Sequence, residues 1–88
     1  MHAAVANVTV LDRDAGVNEL KERVVPMASG MPGFVAGYWV ALPDGKGASV
    51  VVFDSESEAQ ALADQVASAP RSAVTIDAVS VGEVVAHA

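Results

Sequence analysis

MPGFVAGYWVALPDGKGASVVVFD, residues 31–54, decides how the rest of the chain is read. Apolar residues alternate from Phe34 to Leu42, and a β-branched run, Val50-Val51-Val52-Phe53, fills the segment from Ala48 to Asp54. Between them Pro43, Asp44, Gly45 and Gly47 supply the fixed or positive φ that a tight connection needs, so the stretch predicts a β-hairpin. On its first strand Val35, Gly37, Trp39 and Ala41 share one face, and Phe34, Ala36, Tyr38, Val40 and Leu42 share the other. Glycine and alanine beside Trp39 predict a hollow next to a large flat ring, the makings of a pocket for a planar apolar ligand. The competing reading has Trp39 filling the space between sheet and helices, or sealing a dimer interface, with its N–H on a backbone carbonyl.

Outward from the hairpin the period changes on both sides. Upstream, Val17, Leu20, Val24, Met27 and Met31 recur at helical spacing, with Glu19, Lys21, Glu22 and Arg23 largely off that stripe. Asp14 is the expected N-cap of this helix and Gly30 its C-cap, while Pro26 predicts a kink or a break into two pieces. Downstream, Ser55 and Glu58 form a capping box ahead of the stripe Ala59, Leu62, Val66, Ala69, which Pro70 ends. At the outside lie two further strands. Ala3 to Leu11 alternates, with Ala4, Ala6, Val8 and Val10 on one face and Val5, Asn7, Thr9 and Leu11 on the other. Ala73 to His87 is Val-rich and long for one strand, so Gly82 is the expected bulge or bend.

The order is β-α-β-β-α-β in one domain, residues 1–88, and this is the ferredoxin-like α+β pattern: a four-stranded antiparallel sheet with both helices on one face. The uncovered face then carries Val5, Thr9 and Leu11. A chain of 88 residues buries only roughly 60% of its unfolded surface, and this one is 52% hydrophobic with 5% aromatics, so a second copy is expected to cover that face. Five Lys and Arg against eleven Asp and Glu, net charge −6, argue against nucleic acid and anionic membranes as partners. Zero Cys removes thiolate nucleophiles, thiolate metal ligands and disulfides. The N-terminal MHAAVANVTVLDRD alternates like a strand and lacks a charged leader region, so the expected compartment is the cytoplasm.

Element order, the step Pro32-Gly33-Phe34, the segment Gly37-Tyr38-Trp39 and the DSESEAQA entry to the second helix resemble the dimeric α+β barrel superfamily. Within it the chain is most similar to the antibiotic-biosynthesis-monooxygenase type. The resemblance implies sheets paired into a homodimeric barrel and, for the members that are enzymes, oxidation of an aromatic small molecule without a conventional cofactor. It also implies an Asn on the first strand facing the cleft, matched by Asn7, and a cleft Trp, matched by Trp39, although in haem-degrading members that Trp is on the third strand. Those members ligate haem through a His of the second helix. No His lies between Asp54 and Pro70, which speaks against haem degradation.

The candidate ligand-binding residues are therefore Asn7, Trp39 and Tyr38, with no cofactor and no metal expected and no catalytic residue assigned. Asn7 has an alternative role as a buried amide satisfied by a neighbouring strand. His2 and His87 fall at strand ends that the fold brings close, yet terminal His without a carboxylate make a poor metal site. Asp77 and Glu83, roughly 20 Å apart along one strand, are too distant for a paired-carboxylate mechanism and are expected to be solvated. No G-x-S-x-G or P-loop spacing occurs. Two functional readings stay open: a homodimer binding an apolar aromatic molecule, with or without cofactor-free oxidation, and a non-catalytic binding or structural dimer.

Overall fold

A computed structural model describes residues 1–68 and 74–88. Its strands β1 (His2–Val10), β2 (Phe34–Leu42), β3 (Lys46–Phe53) and β4 (Val74–Glu83) form one antiparallel sheet in the order β2-β3-β1-β4. The helical layer comprises α1 (Arg13–Glu19), a π-helical turn (Leu20–Val24), α2 (Val25–Ser29) and α3 (Glu56–Ser68). This is the ferredoxin-like α+β arrangement the sequence predicts. Ala69, Pro70 and Ala73, read as the end of the second helix and the start of the last strand, lie outside the described residues. Among the described residues no helix is long and apolar enough to cross a membrane.

The core is built on small side chains. Ala4 of β1, Val51 and Phe53 of β3, Ala28 of α2, and Ala59, Leu62 and Ala63 of α3 are buried together, and Phe53 is the largest side chain among the fully buried ones. Its ring meets Phe34 edge-on, with centroids 6.1 Å apart and planes at 80°. Phe34 joins Phe53 on the helix side because β2 carries a bulge: Phe34 pairs with Phe53, but Ala36 pairs with Val52, leaving Val35 extra. The bulge corrects the simple alternation, in which Phe34 shared a face with Tyr38. The sheet's helix face holds Phe34, Gly37, Trp39 and Ala41 of β2, and its open face holds Ala36, Tyr38, Val40 and Leu42.

The first helix departs from its predicted course at two places. Asp12, not Asp14, is the N-cap: it is still extended (φ −140, ψ 108) and its Oδ1 accepts from Ala15 N at 3.1 Å, while Asp14 sits in the first turn. The break forced by Pro26 takes the form of the π turn, in which the Val25 N–H reaches back to the Leu20 carbonyl. Proline offers no N–H, and in a continuous α-helix its ring would strike the carbonyl four residues back, at Glu22. The wider turn relieves that clash by inserting one residue. The inserted residue shifts the apolar stripe. Met27, expected inside, is 38% exposed, and Ala28 is fully buried in its place. Gly30 is the C-cap, as expected.

The remaining punctuation is mostly where the residue types put it. Asp44 (φ 63) and Gly45 (φ 71) make the hairpin turn. At the N-terminus of α3 the Ser55 Oγ accepts from Glu58 N (3.4 Å) and donates to Glu58 Oε1 (2.8 Å). Gly33 has φ +77, and a Cβ there would land on the Glu58 carboxylate, so the helix-to-strand step admits only glycine without strain. Gly33→Ala is expected to destabilise the fold by about 1–3 kcal/mol, read as a lower urea midpoint at unchanged slope. The predicted irregularity at Gly82 is instead at Asp77: β4 pairs Ala78 with Asn7 and Ile76 with Val8, while Gly82 pairs regularly with Ala3. The extra residue presents its carboxylate to Thr9, whose Oγ1 donates to Asp77 Oδ2 at 2.7 Å, and Lys46 Nζ donates to the same Thr9 oxygen at 2.9 Å. Asp77 is thus tied across three strands and not simply solvated.

Candidate functional site

Helix α1 and the π turn do not close fully onto the sheet. Beneath them lies a cavity of ≈ 390 Å³ whose floor is Val8 and Val10 of β1, Trp39 and Ala41 of β2, Gly47 and Ser49 of β3 and Val74 of β4. Its roof is Gly16, Val17, Leu20, Val24 and Val25. The gap has a local cause. Ala41 pairs with Gly47, so the two smallest side chains available meet across the strands under the helix, and Gly47 leaves room that the Val8 methyl partly takes. On the helix side Gly16, Val17 and Val24 contribute little volume to the roof.

Trp39 separates this space from the core. Its ring is half-buried, packs against the core cluster, and lines both the large cavity and a ≈ 20 Å³ void beside Leu62, Ala63 and Val79. The sequence placed a hollow beside Trp39, between Gly37 and Ala41; on the Gly37 side the ring itself occupies it, since a Cβ at Gly37 would come within 2.7 Å of Trp39 Cη2. The indole folds back over Gly37, and the open space lies at the other end, over Ala41 and Gly47. The Trp39 side chain has no hydrogen-bond partner among the described residues, so the backbone carbonyl expected for its N–H is not there.

The three predicted site residues are divided between the two faces of the sheet. Trp39 is on the helix face. Tyr38, 64% exposed and opposite Val50, and Asn7, exposed between Ala48 and Ala78, are on the open face. Adjacent strand residues point to opposite sides, so one chain has no single cleft lined by all three. Asn7 is not the buried, satisfied amide of the alternative reading either, because it is exposed.

The other polar candidates sort in the same way. His2 pairs with Phe53, faces the helices, and lies with Nε2 3.6 Å from Glu56 Oε2, so it meets a carboxylate of α3 and not His87, which is exposed beyond β4. Sequence reasoning missed the polar rim of the cavity: Arg13, Glu19 and Lys21 line it, with Ser49 on the floor. Glu19 is held by Arg23 at 3.8 Å across one helical turn. The sequence reading places Lys21 largely off the apolar stripe, but it lines the cavity together with Val17, one helical turn before it. The signal for the cavity itself was present as small residues at helix-facing positions, Ala41 and Gly47, but it registers only once the strand pairing is known.

No family model matches the chain, and no curated protein matches it. Among solved structures, the crystal structure of HapK from Hahella chejuensis is similar over 100% of this chain and 96% of that one, with a TM-score of 0.68 and 11% sequence identity. At that identity the likeness is one of fold.

Proposed function

We propose that the chain is a small-molecule-binding protein of the dimeric α+β barrel, antibiotic-biosynthesis-monooxygenase-like type, taking an apolar aromatic ligand in the space between α1 and the sheet. The observation that carries this reading is the ≈ 390 Å³ cavity with an indole as one wall, a size and lining suited to a molecule of two or three fused rings. The fold likeness to HapK supports the architecture assumed. Binding, and not oxidation, is what the walls favour: Glu19 is the one carboxylate among the lining residues and is engaged by Arg23, so a proton acceptor set over the cavity is missing among the described residues.

A second copy belongs to the same reading. On the open face Tyr38, Val40, Leu42 and Val50 are 64%, 50%, 43% and 37% exposed, and they adjoin Ala36, Ala48 and Val52 in one apolar patch on adjacent strands. Pairing that patch with its equivalent about a two-fold axis removes it from water.

Titration with naphthols and quinols tests the ligand reading, because the single Trp reports from the cavity wall. Saturable change in Trp39 emission is expected. Val17→Phe, which fills the roof, is expected to weaken binding at least about tenfold while leaving the urea midpoint equal or higher. If no compound alters the emission, or Val17→Phe binds as the parent does, the cavity is not the site.

A further inference from the structure

The charge on the cavity rim is out of keeping with the rest of the molecule. The chain carries a net −6, yet Arg13 and Lys21 both line this one space, and both are exposed, which places them at its mouth. Among the described residues the other two cations are occupied elsewhere: Arg23 lies 3.8 Å from Glu19, and Lys46 is bound to Thr9 at 2.9 Å and lies 3.8 Å from Asp77 on the opposite face of the sheet. Arg13 and Lys21 have no partner among the described residues. The rim carboxylate, Glu19, is already offset by Arg23, so it does not cancel them.

We propose that the cavity selects an amphiphile: an apolar ring system enclosed between Trp39 and the α1 roof, with an anionic group, a carboxylate or phenolate, held at the mouth by Arg13 and Lys21. This rests on the ligand-binding reading above and adds the polarity of the ligand. A neutral aromatic would make no use of the two cations, whereas an anion at the mouth gains charge-assisted hydrogen bonds from them. The long-range field of an acidic protein repels anions, so among the described residues a preference for them would come from these two side chains.

Equilibrium dialysis of the purified protein against naphthalene-2-carboxylate, naphthalene-2-methanol and 2-(aminomethyl)naphthalene separates the possibilities. The carboxylate is expected to bind about tenfold tighter than the alcohol, and the amine weakest. In the double variant Arg13→Gln/Lys21→Gln the carboxylate-to-alcohol ratio is expected to fall to near one. In Lys46→Gln, which removes one positive charge on the other face, the ratio is expected to persist. Equal affinities for carboxylate and alcohol, or a ratio that survives in the double variant, would overturn the anionic specificity and leave the cavity reading standing. Absence of binding by all three compounds would overturn both.

Discussion

Phe53→Ala is expected to cost about 3–5 kcal/mol of folding stability, the largest loss available from a single side chain here. Phe53 is completely buried, stacks edge-on with Phe34, and belongs to a core cluster in which four of the six other buried members, Ala4, Ala28, Ala59 and Ala63, are alanines that cannot extend into the space it leaves. Cavities close only where neighbours can move in, and alanine has no torsion with which to do so. For a domain of 88 residues, stabilised by about 0.1 kcal/mol per residue, that is a large share of the total. Urea unfolding followed by far-UV circular dichroism should show the midpoint falling steeply or the native baseline lost. A change below about 1 kcal/mol would mean that the Phe53 site collapses freely and that the core is not anchored there.

Val50→Glu should turn the proposed homodimer into a monomer. Val50 lies on β3 between Tyr38 of β2 and Val5 of β1, in the apolar part of the open face, and is 37% exposed in the single chain. A carboxylate there can reach water when the face is free, so the fold should survive. Buried against a second copy it would meet its own symmetry mate and an apolar surround, a cost of about 3–5 kcal/mol, or roughly a thousandfold in the dissociation constant. Sedimentation equilibrium reads the assembly directly. Unfolding gives an independent check, because a dimer's midpoint rises with protein concentration and a monomer's does not. A parent protein that sediments as a monomer at micromolar concentration would remove the second copy from the proposal. It would leave the cavity under α1 untouched, since that cavity is formed within one chain.

The two predictions test different faces of one sheet, and the sequence anticipated those faces unequally. Even-numbered residues of β1 were read as facing the helices, and Ala4 is indeed in the core with Val8 and Val10 under α1. The hairpin, the capping box at Ser55 and Glu58, and the order of elements were legible because each depends on residues close in the chain: a period of two or 3.6, a turn residue, a side chain bonding three positions on. What stayed illegible came from pairings across the sheet or from backbone irregularities that no single residue announces.

Residue order thus determined the element types, the four-stranded ferredoxin-like topology, the need for a break near Pro26 and the net charge of −6. Tertiary structure alone decided where each irregularity is absorbed. The bulge at Val35 turns Phe34 inward, the π turn exchanges Met27 for Ala28, and the fold-back of Trp39 over Gly37 leaves the open space over Ala41 and Gly47. The physical reason is common to the bulge and the π turn. One extra residue in a strand or a helix costs little locally, so the chain places it where packing against distant neighbours is best, and each such insertion changes which side chains face the site.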